Sequence, residues 1–155
     1  MRTSPAADVL FVEDNPFDVD LTLRALKACG LEQRLKVVRD GKEAVDYVFR
    51  TGPYRGMSPE DRPKLVLLDL KLPKMTGLQV LQWIRADPDT KSLPVIILTT
   101  FEDDRNVVEI FRLGVTGYLT KPLDVEKFYE IARNLLSGLT VPRPKGAPPE
   151  PSRPE

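Results

Sequence analysis

Residues 65–69 read Leu-Val-Leu-Leu-Asp, an apolar run of four residues that ends in a carboxylate. Three further runs have the same form: Val9–Val12 precedes Glu13 and Asp14, residues 95–98 precede Thr99 and Thr100, and Gly117–Thr120 precedes Lys121 and Pro122. Short apolar runs bounded by polar turn residues are typical of buried parallel strands. The C-terminal ends of such strands share one edge of the sheet, where ligands bind. We therefore expect carboxylates, hydroxyls and one ammonium to meet at one site.

The segments between these runs have the apolar spacing of helices. Helices are predicted after each strand, beginning near residues 16, 41, 77, 103 and 124, and a further short strand is predicted at Leu35–Val38. The last helix is predicted to extend through Leu139, and residues 51–63 are predicted to form a loop. Alternating strands and helices predict a single α/β domain, doubly wound around a five-stranded parallel sheet.

The composition limits what the chain can do. Its 155 residues suffice for one domain, which we place at residues 8–139, because six of the sixteen residues 140–155 are proline and predict a disordered tail. With 23 basic and 23 acidic residues, the net charge gives no indication of nucleic-acid or membrane binding. No apolar signal segment is present, so we expect a cytoplasmic protein. The single cysteine, Cys29, cannot form an internal disulfide, and without histidine the chain cannot carry a phosphohistidine.

The expected site has the chemistry of phosphoryl transfer. Glu13, Asp14 and Asp69 together carry a formal charge of −3, which requires neutralisation. Oxygen-only ligands with room for water and phosphate oxygens suit Mg²⁺. Asp69 would then be a nucleophile that forms an aspartyl phosphate, with Lys121 stabilising the charge of the transferred oxygens and Thr99 donating to one of them.

These stretches resemble those of the receiver domains of two-component response regulators. The matching residues are Val9–Val12 with Glu13 and Asp14, residues 67–77 (Leu-Leu-Asp-Leu-Lys-Leu-Pro-Lys-Met-Thr-Gly), residues 94–100 (Pro-Val-Ile-Ile-Leu-Thr-Thr) and residues 117–122 (Gly-Tyr-Leu-Thr-Lys-Pro). Together they span about residues 8–137. The resemblance implies the flavodoxin-like (βα)5 fold.

The resemblance also implies a role for each site residue. Asp69 is the expected phosphoacceptor, and the metal ligands would be Glu13, Asp14, Asp69 and the main-chain carbonyl of Lys71. The switch residues would be Thr99, Thr100 and Tyr118, with Thr99 as the hydroxyl and Tyr118 as the aromatic ring. Lys121 would contact the phosphoryl group, and the Lys121–Pro122 peptide bond is expected to be cis.

Within the family, the chain is similar to the single-domain regulators of bacterial phytochrome kinases. The features that carry this similarity are the long 51–63 loop, the phrase Leu-Asp-Leu-Lys-Leu-Pro-Lys at residues 68–74, and the double threonine. The partner that this similarity implies is a sensor histidine kinase of the bacteriophytochrome class, and either a second copy of the chain or a downstream phosphotransfer protein is a further implied partner. Such regulators are often homodimers, and the implied dimer face contains Val108, Phe111 and Leu113, although half-buried core positions have the same pattern.

Three residues depart from the common pattern around the phosphate. Lys71 and Phe101 stand at positions that tune hydrolysis, and neither orients water as a carboxylate does, so we predict slow self-dephosphorylation. Thr100 stands where a small residue is common, and it would narrow access to the phosphoryl group.

Two other functions fit parts of the pattern. A Mg²⁺-dependent phosphohydrolase of the haloacid-dehalogenase type also uses an aspartate at a strand end, but it needs a second acid where this chain has Lys71. A phosphorylation-independent adaptor would be expected to lack Asp69, Lys121 or the acidic pair, all of which are present. We therefore favour a phosphorylation switch without an output domain of its own, and not an enzyme that turns over a substrate.

Overall fold

Five parallel strands form one sheet in the computed structural model, which describes residues 7–100 and 106–140. The strands are β1 (Val9–Val12), β2 (Leu35–Val38), β3 (Leu65–Leu68), β4 (Val95–Thr99) and β5 (Gly117–Thr120). The helices are α1 (Pro16–Ala28), α2 (Gly41–Phe49), α3 (Gly77–Ala86), α4 (Val107–Leu113) and α5 (Val125–Ala132). The order of the strands in the sheet is β2-β1-β3-β4-β5. This arrangement confirms the predicted doubly wound, flavodoxin-like fold.

Helices cover both faces of the sheet. Side chains of the strands alternate between two apolar clusters, one containing residues of α1 and α5 and the other containing residues of α2, α3 and α4. All residues of β1, β3 and β4 are buried, which explains why these strands are continuous apolar runs. None of the helices within the described ranges is both long and apolar enough to cross a bilayer.

Short polar side chains begin the helices next to the C-terminal edge of the sheet. Asn15, Asp40, Thr76 and Asp124 each accept hydrogen bonds from backbone N–H groups of the first helical turn. These bonds satisfy donors that have no partner within the helix. These four helices consequently start with a capped first turn after the loop that leaves a strand, near the strand ends and their polar residues.

The end of α5 differs from the prediction. The helix ends at Ala132 and not near Leu139. Leu135 and Leu139 nevertheless pack partly buried against the core, and Leu136, which the spacing had not assigned to it, is buried. Backbone bonds from Leu135 and Leu136 to the Ala132 carbonyl form a closing turn. The chain then crosses to α1, where the Thr140 N–H donates to the Cys29 carbonyl at 2.9 Å.

Other boundaries differ less. The 51–63 segment contains two short 3-10 helices, Gly52–Tyr54 and Pro59–Asp61, and the Tyr54 hydroxyl donates to Glu43 at 2.8 Å. Strand β4 extends through Thr99, one residue further than expected. The predicted start of α4 near Asp103 and residues 141–155 of the predicted tail lie outside the described residues. Thr140, which the prediction assigned to the tail, is bonded to the fold as described above.

Candidate functional site

Three carboxylates lie together at the C-terminal edge of the sheet. Glu13 follows β1 and Asp69 follows β3, and these two strands are neighbours with Val12 paired to Leu68. Carboxylate oxygens of Glu13, Asp14 and Asp69 all lie within 4.8 Å of one another. The sequence prediction of a shared acidic site therefore agrees with the geometry.

The cluster has a buried floor and an open side. Glu13 is fully buried and Asp69 is 4% exposed, whereas Asp14 is exposed. Burial alone would penalise the two inner charges. Among the three clustered residues, Asp14 is therefore the one that solvent reaches.

Lys121 connects the inner carboxylates. Its Nζ atom lies 3.0 Å from Oδ2 of Asp69 and also contacts Oε1 of Glu13. A third carboxylate, that of Asp18 in the first turn of α1, lies 3.0 Å from the same Nζ. The Lys121 side chain is 9% exposed, so the ammonium is held inside this group of acids.

The electrostatics of the site follow from burial and from this ammonium. Burial raises the pKa of Glu13 to about 7, although the Lys121 ammonium opposes the shift. Burial also acts to lower the pKa of Lys121, but its carboxylate partners outweigh this effect and raise that pKa above its ordinary value. Lys121 is therefore a permanent cation in a site that has an excess of negative charge.

The backbone around Asp69 is tightly packed. The Lys71 N–H donates to Oδ1 of Asp69 at 3.2 Å, and the Gly77 N–H donates to the Leu70 carbonyl at 2.9 Å. A Cβ atom at Gly77 would lie 2.3 Å from the Asp69 carbonyl oxygen, so the start of α3 can approach β3 only with glycine here. The Lys71 side chain is exposed.

Strand β5 brings Lys121 next to β4. The Lys121 N–H donates to the Thr99 carbonyl at 2.6 Å, and the Lys121–Pro122 peptide bond is cis. Thr99 is buried at the end of β4, whereas Thr100 is exposed.

Tyr118 lies on the same face of the sheet as Thr99. Thr99 is paired with Thr120, and Tyr118 precedes Thr120 by two residues, so these side chains point to one face. The half-buried ring of Tyr118 stacks on Phe111 of α4, with 5.7 Å between the ring centroids and 23° between the planes. Of the three predicted switch residues, Thr99 and Tyr118 thus lie on a common face of the sheet, where α4 packs on Tyr118.

The predicted dimer face divides into two parts. Val108 and Phe111 are 68% and 57% exposed, whereas Leu113 packs partly buried against the core.

Phe101, the second predicted hydrolysis-tuning position, lies outside the described residues.

Sequence reasoning missed Asp18. The residue stands 103 positions before Lys121, and helical spacing places it in the first turn of α1 without indicating a partner across the sheet. One feature of the sequence could have indicated Asp18. It follows Asp14 by four residues, a separation of about one helical turn from the end of β1.

The residues present fit a hard divalent cation. The three clustered groups offer only carboxylate oxygens, and the cluster of three negative charges is only partly compensated by Lys121. Such a donor set favours Mg²⁺ or Mn²⁺ over softer metals.

Comparison with known proteins identifies the family to which the chain belongs. The family described as response regulator receiver domain matches residues 9–133. Response regulator Rcp1 from Synechocystis sp. is 36% identical over 136 residues, which cover 88% of this chain and 90% of Rcp1. The structure of the bacteriophytochrome response regulator RtBRR is 40% identical, with a TM-score of 0.75 and coverage of 88% of this chain and 83% of that one.

Two of the similar structures contain metals. The Mn²⁺-bound form of Rcp1 superposes with a TM-score of 0.70 at 34% identity, covering 90% of this chain and all of that one. The receiver domain of sensor histidine kinase PA1611 from Pseudomonas aeruginosa, with magnesium in its active-site cleft, has a TM-score of 0.68 at 26% identity and covers 84% of this chain and 98% of that one. Fold, sequence match and relatives agree: the chain belongs to the response regulator receiver domains, whose family function is to accept a phosphoryl group on an aspartate in two-component signalling.

Proposed function

We propose that Asp69 is the phosphoryl acceptor of this chain and that a phosphohistidine of a sensor histidine kinase is its donor. The observation that carries the proposal is the contact of Lys121 Nζ with the nearly buried Asp69 at 3.0 Å, beside the buried Glu13. A carboxylate in this position lies at a strand end, is held by a cation and adjoins the solvent-exposed Asp14. Few structural roles require all three properties.

The transfer forms one bond and breaks another. An oxygen of Asp69 attacks the phosphorus atom, the O–P bond forms, and the P–N bond to the kinase imidazole breaks, with the electron pair leaving on the imidazole nitrogen. Lys121 pairs with the negative oxygens of the transferred group, and the backbone N–H of Lys71 holds Oδ1 of Asp69 in place. Positioning of this kind is the main contribution that a protein makes to phosphoryl transfer.

Glu13, Asp14, Asp69 and the main-chain carbonyl of Lys71 would hold the metal, for which we propose Mg²⁺. When bound, Mg²⁺ would neutralise the acidic cluster and the charge of the phosphoryl oxygens. The exposed Asp14 lies on the open side of the site, and the buried Glu13 lies on its floor.

The switch that we propose runs from Thr99 to Tyr118. A phosphoryl group on Asp69 attracts the Thr99 hydroxyl, and the movement of Thr99 leaves space on the face where Tyr118 stacks on Phe111. Thr100 is exposed beside this path and would restrict access to the phosphoryl group. The exposed Val108 and Phe111 would form the centre of a homodimer face, with Leu113 supporting them from the core side.

The kinase that we propose as partner is of the bacteriophytochrome class. The support is that several similar proteins are regulators of that class by their own descriptions, among them RtBRR and AtBRR at 40% and 41% identity.

We also propose that the receiver domain extends over residues 8–139, slightly beyond the matched 9–133. A phosphohydrolase activity is disfavoured, because the position that needs an acid holds the exposed Lys71.

Intact mass spectrometry tests the acceptor. The chain is incubated with acetyl phosphate with and without Mg²⁺, and we expect one phosphoryl group, labile to hydroxylamine, only when Mg²⁺ is present. Asp69→Asn should gain no mass, while the matched control Asp89→Asn, an exposed aspartate in the loop after α3, should behave as wild type. Modification of Asp69→Asn to the wild-type extent would refute the assignment.

A further inference from the structure

A groove of about 670 Å³ runs between α2 and α3, and none of the acidic-cluster residues Glu13, Asp14 and Asp69 lines it. Its apolar lining includes Val45 and Phe49 from α2, Met75 before α3, Trp83 and Ala86 from α3, and Pro88 after it. We call this surface the α2–α3 groove. It belongs to the sheet face opposite α1 and α5.

Trp83 is the main exposed group of the groove. Its side chain is 55% exposed, and its ring lies 6.2 Å from that of Phe49 at an interplanar angle of 67°. Within residues 7–100 and 106–140, no acceptor is bonded to the indole N–H of Trp83. Two aromatic rings set at a steep angle, with a free donor, form the kind of surface that binds proline-rich segments in the polyproline II conformation.

The chain itself contains a proline-rich segment. Residues 141–155 include six prolines in fifteen residues, with pairs or near-pairs at 142 and 144 and at 148, 149 and 151. We propose that residues 141–155 bind in the α2–α3 groove of the same chain as a polyproline II segment, with proline rings against Trp83 and Phe49. The segment would otherwise have no apolar core to join, as its composition indicates.

The topology allows the segment to reach the groove. Thr140 is bonded to Cys29 at the end of α1, and every helix of a doubly wound parallel sheet ends at the edge where the strands begin. Phe49 and Pro88, at the ends of α2 and α3, lie at this same edge. Fifteen residues of polyproline II span about 46 Å at roughly 3.1 Å per residue, more than the roughly 30 Å diameter of a small domain.

The charges of the groove rim and of the segment are mixed. Asp46 and Asp87 border the groove together with Lys42, whose Nζ lies 3.0 Å from Asp46, so Asp87 is the carboxylate that a cation of the segment would approach. The proline-rich segment carries three basic side chains, Arg143, Lys145 and Arg153, and two acidic ones, Glu150 and Glu155. Such rim charges would orient the segment more than they would strengthen its binding.

Trp83 is the single tryptophan of the chain, so its fluorescence reports directly on the groove. Acrylamide quenching is compared between the full chain and a chain that ends at Thr140, the last residue bonded to the fold. We expect the full chain to be on the order of twofold less quenched and its emission to be blue-shifted, because bound prolines would cover the indole ring. Adding a 141–155 peptide to the shortened chain should restore protection in a saturable manner.

Two variants of the full chain make the test specific. Replacing Pro148, Pro149 and Pro151 together with serine should raise quenching to the level of the shortened chain, while Ala147→Ser, which keeps every proline, should not. Circular dichroism confirms that each variant is folded. Equal quenching of the full and shortened chains, or of the serine variant and wild type, would overturn the proposal. Protection that increases with protein concentration would also overturn it, because it would assign the groove to a second copy.

Discussion

Lys121 and Asp69 lie 52 residues apart in the chain, yet Nζ of one is 3.0 Å from Oδ2 of the other. The contact forms because β5 and β3 both end at one edge of the sheet, on either side of β4. Lys121 contacts two further carboxylates, those of Glu13 and Asp18. A phosphoryl group arriving at Asp69 must therefore compete for an ammonium that is already shared.

Asp18 is the partner of Lys121 that lies outside the acidic cluster of Glu13, Asp14 and Asp69. Asp18→Asn should increase the rate of phosphorylation by acetyl phosphate about two- to fivefold, because it removes a repulsive charge and one competitor for Lys121. The matched control is Asp20→Asn, two residues further along α1, which pairs with Arg24 on an exposed surface. The rate is followed by intact mass at saturating Mg²⁺, and equal rates for Asp18→Asn and Asp20→Asn would contradict this role.

Thr99 should be needed for the change in self-association that follows phosphorylation, but not for the phosphorylation of Asp69 itself. Thr99→Ala is expected to accept a phosphoryl group at Asp69 and to lose most of the phosphorylation-dependent change in self-association, because the methyl group cannot pair with the phosphoryl oxygens. Sedimentation with and without a phosphoryl mimic measures this change. Thr120→Ala is the control, since Thr120 is the exposed partner of Thr99 on β5. A wild-type response in Thr99→Ala would exclude the proposed path to Tyr118.

Gly77 should be required for stability. Gly77→Ala places a methyl group 2.3 Å from the backbone oxygen of Asp69, so α3 must move, and we expect a loss of about 1–3 kcal/mol in the free energy of unfolding. Gly56→Ala is the matched control: its added Cβ meets nothing within 4 Å, and the change should stay within about 0.5 kcal/mol. Urea denaturation of both variants gives the comparison, and similar stabilities would show that α3 shifts without cost.

Cys29 should react slowly in the folded chain. It is fully buried, and burial raises the pKa of its thiol. We expect its reaction with Ellman's reagent to be on the order of a hundredfold slower in buffer than in denaturant, since it requires opening of the end of α1. Because the pKa is higher in the folded state, the thiol's contribution to stability is complete below about pH 8.5, the ordinary thiol value, and decreases at higher pH. Fast reaction in buffer would show that this region opens locally.

Most of the fold could be predicted from the sequence, because β1, β3 and β4 are fully buried apolar runs with polar residues at their ends. The partly buried β2 and β5 are short runs that polar or turn residues bound. The end of α5 could not be predicted from the sequence. The apolar side chains at 135 and 139 have helical spacing, but they lie on the turn after α5 and on the segment that leads to α1. That path depends on the bond between Thr140 and Cys29, which is a tertiary contact. Gly138, with a φ of 73°, lies six residues beyond the end of the helix, in the segment that leads to Thr140.

The acidic cluster was predictable for the same reason as the strands, whereas the environment of Lys121 was not. Strand ends specify that Glu13, Asp69 and Lys121 share an edge. The spacing of α1 does not specify which side of its first turn faces β5. Asp18 was therefore found only from the distance between its carboxylate and Lys121.

The bond between Thr140 and Cys29 has a practical consequence for engineering. It anchors the chain at the edge of the sheet opposite Asp69, so a fluorescent protein or purification tag fused after Thr140 would start far from the phosphorylation site. A fusion that removes Thr140 would leave the Cys29 carbonyl without its backbone partner. Reporter fusions should therefore retain Thr140.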